Sequence, residues 1–162
     1  MITAKRLREL LNYDPKTGIF RWRVDRRGRC AKKDKIAGTI RNGYRYIYLD
    51  GHWYRGARLA VLYVKGRWPR QIVDHCNLVR NDDRWVNLRE ATHSQNHANG
   101  NARNTKWKLK GVSWDKRRAV FTAQITYRQK LIHLGDFKTP QAAHASYVAA
   151  AQKYFGVFAR AK

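Results

Sequence analysis

The stretch Ile72-Val73-Asp74-His75-Cys76-Asn77-Leu78-Val79-Arg80-Asn81-Asp82-Asp83-Arg84-Trp85-Val86-Asn87-Leu88-Arg89 decides how this chain is read. Ile72-Val73-Asp74 is a short strand by composition, and a long polar loop follows it to Trp85. Asn87-Leu88-Arg89 then leads into a helix over about 92–99, with Thr92 as its expected N-cap. An acid, Asp74, stands directly before a histidine, His75, with the amides of Asn87 and Asn96 downstream. Histidine suits a general base because its ordinary pKa lies near neutrality. Asp and Asn oxygens suit Mg2+, a hard cation that keeps several waters. Adjacent strand residues point to opposite faces, so Asp74 and His75 share a site only if the strand twists or ends there. On the residues alone two readings stay open: a metal-and-base set, or a surface Asp-His pair with ordinary loop asparagines.

Outward from this stretch, toward the N-terminus, the pattern is of short elements. Residues 4–11 read as a helix capped by Thr3, and 12–18 as a turn, dense in Asn, Asp, Pro and Gly. Residues 19–24 alternate as a strand, and a basic loop runs from Asp25 to about Lys35. Residues 44–49 and 53–55 flank Asp50-Gly51, a hairpin signal. Residues 58–65 fit a helix ending at Gly66, with Leu59, Leu62 and Tyr63 on its buried face. Toward the C-terminus, residues 97–108 are polar and without periodicity, which predicts a linker at 101–108 between units 1–100 and 109–162. In the second unit Gly111-Val112-Ser113-Trp114 begins a strand. Phe121, Ala123, Ile125 and Tyr127 alternate with Thr122, Gln124, Thr126 and Arg128, and Ile132 and Leu134 with Leu131 and His133. Three antiparallel strands follow from this, apolar on one face. Thr139-Pro140 starts a helix on which Ala143, Tyr147, Ala150 and Tyr154 recur, small enough to let it lie close on a sheet, and Gly156 ends it.

The chain has 162 residues and a formal net charge of +24. Residues 1–100 carry 22 Lys/Arg against 9 Asp/Glu, and residues 101–162 carry 13 against 2, so the excess is no basic tail. Self-repulsion on that scale points to a polyanionic partner, nucleic acid rather than a membrane. An aromatic content of 12% and clear strand patterns argue against a disordered basic protein. The two cysteines, Cys30 and Cys76, form no C-x-x-C pair, which argues against structural zinc and a disulfide framework. No apolar run approaches the length of a membrane span and the N-terminus has no signal-peptide core, so a cytoplasmic location is expected.

Residues 72–99 resemble the HNH endonuclease family in its phage and homing branch, and Arg58-Leu59-Ala60, Gly66-Arg67-Trp68-Pro69 and residues 10–18 extend the likeness. The resemblance implies a ββα-metal fold around one divalent ion, Mg2+ or else Mn2+. It implies His75 as general base, Asp74 and Asn96 as metal ligands, and Asn87 bracing the loop so that His75 stays oriented. Hydrolysis would leave a 5′-phosphate and a 3′-hydroxyl. The chain departs from the family at three places: Ala57 where histidine is common, Asp83 where the loop often reads Asp-Asn-Arg, and Cys76 where an aliphatic residue usually follows the histidine. Cys76 reads as a small buried hydrophobe or as a reactive thiol. His93 and His97 flank Asn96 and read as helix surface, phosphate contacts or metal ligands; His52 and His144 belong to no constellation.

Residues 110–160 resemble the plant ethylene-response-factor (Apetala-type) DNA-binding domain, through Gly111-Val112, Phe121 to Ile125, Ile132 to Phe137, Thr139, Ala142-Ala143, Tyr147 and Phe155 to Ala159. The resemblance implies that the sheet enters the major groove of duplex DNA. The outward residues are then Ser113, Thr122, Gln124, Thr126, Arg128 and His133, joined near the turns by Lys116, Arg117, Arg118 and Lys130. Gln can read adenine and Arg can read guanine or grip phosphate. In the first unit Arg84 is a further expected DNA contact. The fold expected is therefore α+β: an N-terminal ββα-metal (HNH) nuclease domain, then a small three-stranded antiparallel sheet packed on one helix. The function expected is a metal-dependent, site-preferring DNA endonuclease acting on double-stranded DNA as a monomer or weak homodimer. The competing expectation is a DNA-binding regulator with a degenerate HNH domain, separable by nicking of plasmid with Mg2+ or Mn2+. An RNA-binding role stands third, since the sheet lacks stacked surface aromatics.

Overall fold

The computed structural model describes residues 1–26, 31–102 and 107–160, so Cys30 and part of the expected 101–108 linker lie outside it. The chain is α+β with small antiparallel sheets, and it divides into two compact units, Met1–Glu90 and Ala91–Lys162. That division falls before the helix carrying Asn96, whereas the sequence placed the break after it.

In the first unit, helix α1 (Ala4–Leu10) opens on Thr3, whose hydroxyl accepts from the Arg6 N–H. Strands β1 (Leu11–Asp14) and β2 (Ile19–Trp22) pair antiparallel, Leu11 with Trp22 and Asp14 with Ile19. The sequence reading made residues 12–14 a turn. They form a strand because Leu11 and Tyr13 are buried while Asn12 and Asp14 face out, and that alternation outweighs the turn propensity of Asn and Asp. Strands β3 (Thr39–Arg41), β4 (Tyr44–Leu49) and β5 (His52–Arg55) form a second sheet in that order, turning at Asp50-Gly51 as the hairpin signal predicted. Helix α2 (Gly56–Lys65) buries Leu59, Ala60, Val61 and Leu62 and stops at Gly66, whose left-handed backbone (φ 69°) closes the last turn. One apolar cluster joins these elements, with Leu7, Leu11, Phe20, Ile47, Leu49 and Leu59 all inaccessible. Strands β6 (Ile72–His75) and β7 (Leu88–Ala91) pair as a third, two-stranded sheet.

In the second unit, helix α3 (His93–Asn99) starts with a reciprocal capping box. The Thr92 hydroxyl accepts from the Gln95 N–H, and the Gln95 side chain accepts from the Thr92 N–H. Strands β8 (Val112–Asp115), β9 (Val120–Tyr127) and β10 (Lys130–Phe137) form a three-stranded antiparallel sheet with β9 central. Helix α4 (Pro140–Phe155) is capped by Thr139 and carries Pro140 in its first turn. Ala98 of α3, Ile125 of β9 and Tyr147, Ala151 and Phe155 of α4 share one buried cluster. Val112, Phe121, Ala123 and Ala143 form another. No helix among the described residues is long and apolar enough to cross a membrane.

Candidate active site

Strand β6 ends at His75, and the chain turns at once, the Leu78 N–H donating to the His75 carbonyl at 3.0 Å. Asp74 and His75 are both buried, at 5% and 6% exposure, although neighbouring strand residues face opposite ways. The Arg89 guanidinium of β7 reaches across to Asp74, Nε to Oδ2 at 3.0 Å. The His75 imidazole is met by Asp83: Nε2 lies 2.9 Å from Oδ1. A carboxylate oxygen accepts, so this bond is made with a proton on Nε2. Asp83 is 1% exposed, and its second oxygen, Oδ2, is buried without a hydrogen-bond partner among the described residues. A buried acid held this way is costly, and it persists where the surrounding structure fixes it.

Three contacts fix it. The Tyr13 hydroxyl donates to the Asp83 carbonyl at 2.6 Å. Burial first, and then the negative charge of Asp83, raise the Tyr13 pKa far above the ordinary value, so the phenol stays a donor. Gly18 (φ 73°) lies against the Asp83–Arg84 backbone, where a β-carbon would come within 2.4 Å of two backbone atoms. Gly56, at the start of α2, faces Asp83 Oδ2, which would sit 2.3 Å from an added β-carbon.

Asn87 ties the loop between His75 and Arg84 together. Its Nδ2 donates to the Asp82 carbonyl (2.8 Å), its Oδ1 accepts from the Asn77 N–H (3.0 Å), and its carbonyl accepts from the Cys76 N–H (2.9 Å). Arg84 grips Asp82 at both oxygens, at 2.7 and 2.6 Å, and pulls the Asp82 pKa down to about 2. The guanidinium expected to contact DNA is thus committed to a carboxylate of its own loop. Cys76 is half-buried.

The structure brings Asp74, His75 and Asn87 together in the first unit and places Asn96 on α3 in the second. Asp83 and Arg89 were not among the expected site residues. The signal for Asp83 was its standing as a departure from the family pattern, an acid in place of an amide eight residues after the histidine. Among the described residues no three His, Cys, Asp or Glu side chains cluster as a metal-binding group. A Mg2+ ion held by one carboxylate and one amide oxygen, with waters completing its shell, needs no such cluster. Asp74 and Asn96 each carry an oxygen donor of the kind that ion takes.

In the second unit the strand register sets Ser113, Thr122, Gln124 and His133 in facing positions, alternate to buried Phe121, Ala123 and Ile125. Thr126 continues that face, Arg128 lies in the turn beside it, and Lys130 begins β10 after that turn. Ser113, Lys116, Arg117, Arg118 and Thr122 line one shallow depression. Arg118 is engaged there by Asp115 (2.9 Å) and by Asp136, to which the Thr122 hydroxyl also donates (3.0 Å). Lys116, Arg117, Arg128, Lys130 and His133 are exposed.

At the end of β6, then, Asp83 holds the buried His75, Arg89 holds the buried Asp74, and Asn87 braces the loop between them. A family model described as HNH endonuclease matches residues 57–98, the segment that holds Asp74, His75, Asp83, Asn87 and Asn96. No curated protein matches the chain.

Proposed function

We propose that this chain is a metal-dependent DNA endonuclease of the phage or homing type, with a ββα-metal centre. The observation that carries the reading is the buried His75–Asp83 pair beside Asp74, inside the segment that matches the HNH endonuclease model. His75 takes a proton from the attacking water. Asp83 holds the ring in the required tautomer, and its carboxylate lies where the imidazolium charge appears. Asn87 keeps the loop closed so that Asp83 stays on the histidine. Asp74 and Asn96 would hold one divalent ion, which when bound neutralises the phosphate and the leaving oxygen. Arg89 positions the Asp74 carboxylate.

The second unit acts as the reader of double-stranded DNA, in the manner of the Apetala-type domains it resembles. The outward face of β8, β9 and β10 supports this, with Ser113, Gln124, Thr126 and His133 available to base edges and Lys116, Arg117, Arg128 and Lys130 to phosphates. Arg84, Arg118 and Thr122 each have a carboxylate partner in the chain, which a phosphate contact would have to replace. Site preference is a property of this unit, and the chain works as a monomer or weak homodimer.

The test is nicking of supercoiled plasmid by the full chain with and without Mg2+ or Mn2+, beside His75→Ala. Wild type nicks only with metal, and His75→Ala binds DNA but does not nick. Nicking by His75→Ala at the wild-type rate refutes the base assignment, and no nicking by wild type under either metal refutes the activity.

A further inference from the structure

The outer face of the β3–β4–β5 sheet has no part in the chemistry above, yet its composition is unusual. Ile47 and Leu49 point into the core, so the alternate residues Tyr44, Tyr46 and Tyr48 point outward. The register sets Arg41 opposite Tyr44, Arg55 opposite Tyr46 and Trp53 opposite Tyr48. Each arginine lies on an aromatic face: Arg41 over Trp53 at 4.0 Å, Arg55 over Tyr44 at 4.5 Å, and Arg80, from the loop after His75, over Tyr44 at 5.2 Å. Arg55 also donates to the Tyr46 hydroxyl at 3.0 Å. The rings hold the guanidinium groups in place without neutralising them. None of the three arginines has a carboxylate partner among the described residues, and all three are exposed. Arg84 and Arg118, by contrast, are both spent on acids.

This face runs up to the candidate base, with the Tyr44 and His75 rings 6.1 Å apart. We infer that it is a second nucleic-acid contact, a preorganised cation array that grips the phosphodiester backbone of duplex DNA and leads it to His75. The inference rests on the endonuclease reading for the identity of the polymer. Aromatic rings already covered by guanidinium groups are poor platforms for unpaired bases, which favours phosphate contact over base stacking. Phosphate contacts carry no sequence information, so this surface positions the duplex while the second unit selects it.

The experiment measures binding of the full chain to a short DNA duplex in EDTA, across a range of KCl, so that no cleavage is involved. In Arg41→Gln/Arg55→Gln/Arg80→Gln the slope of log K against log salt falls by about 0.9 per lost phosphate contact, about 2.7 in all. The corresponding triple lysine variant keeps most of the wild-type slope. A glutamine triple that binds with the wild-type slope overturns the inference, as does one that loses affinity for duplex RNA but not for duplex DNA. Should the glutamine triple fail to fold, Arg41→Gln alone, on an exposed edge strand, is expected to lower the slope by about 0.9; an unchanged slope in that variant overturns the inference equally. Plasmid nicking by the wild type is read separately. A lowered salt slope without wild-type nicking removes the endonuclease reading and leaves the surface, and the reverse result removes only the surface.

Discussion

Replacing Asp83 by alanine is the perturbation that bears hardest on the site. The substitution deletes the carboxylate 2.9 Å from His75 Nε2 and nothing else that anchors the loop, because Tyr13 binds the Asp83 carbonyl and Gly18 packs on the backbone. It also removes the buried, unpartnered Oδ2, which offsets part of the stability lost with the hydrogen bond. The variant is therefore expected to fold, with the imidazole no longer fixed in one orientation. A hydrogen bond to a charged group contributes about 1.5–3 kcal/mol. If that interaction is fully made as the imidazolium forms, its loss lowers kcat by about 10- to 150-fold, at about 1.4 kcal/mol per tenfold. Asp83→Asn keeps an acceptor oxygen at the same place and is expected to stay within about tenfold of wild type, since a neutral bond still contributes about 0.5–1.5 kcal/mol. The assay is single-turnover nicking of supercoiled plasmid in Mg2+ with enzyme in excess, with DNA binding and thermal unfolding measured alongside. A folded Asp83→Ala enzyme that nicks at the wild-type rate refutes the positioning role. So would an Asp83→Asn enzyme as slow as Asp83→Ala, because the amide then restores nothing.

Two further expectations concern the neighbours of this pair and the stability of the first unit. Gly56→Ala sets a β-carbon 2.3 Å from Asp83 Oδ2 and should push the carboxylate off His75; nicking falls, and the loss is smaller when Gly56→Ala is added to Asp83→Ala than to wild type. Equal losses in both backgrounds would show that the glycine acts elsewhere. Glu90 accepts from Lys65 at 2.8 Å and Arg67 at 3.0 Å, which lower its pKa from the usual 4.5 to about 2. Its folded pKa lies below its unfolded one, so its contribution is complete above pH 4.5 and lost as pH falls through about 2. Solvent screening of the half-exposed cations reduces this to about 1–2 kcal/mol. Urea unfolding should therefore separate Glu90→Gln from wild type by that amount at pH 6, with the gap closing toward pH 2, and a gap independent of pH would exclude the assignment.

The parts of the fold that were legible in the sequence are those whose signals are local. The β4–β5 hairpin declared itself through Asp50-Gly51, α2 through Gly66, and α3 and α4 through Thr92 and Thr139. Strands β1, β3 and β7 were not foreseen. β3 is three residues long and exposed throughout, so it has no apolar alternation to read, and β7 is recognisable only through its pairing with β6. The candidate site divides the same way. Asp74 and His75 are adjacent in the chain, so the pair could be singled out directly, while its roles came from the family resemblance. The approach of Asp83 to His75 depends on the loop folding back under Asn87 and on Tyr13, 70 residues away, and no spacing rule encodes such a contact. The commitments of Arg84 to Asp82 and of Arg118 to Asp136 likewise needed coordinates, since composition counts a cation without showing what it faces.

The bond from Tyr13 to the Asp83 carbonyl has a bearing on portability. The matched segment, 57–98, looks like a cassette that could be cut out and grafted onto another protein. Yet Asp83, the residue that meets His75, hangs from the β1–β2 hairpin, through Tyr13, through Gly18, and through the Trp85 N–H donating to the Pro15 carbonyl at 3.0 Å. A graft that leaves the first twenty-odd residues behind would carry the acid and the histidine to their new host and lose the grip that keeps them together.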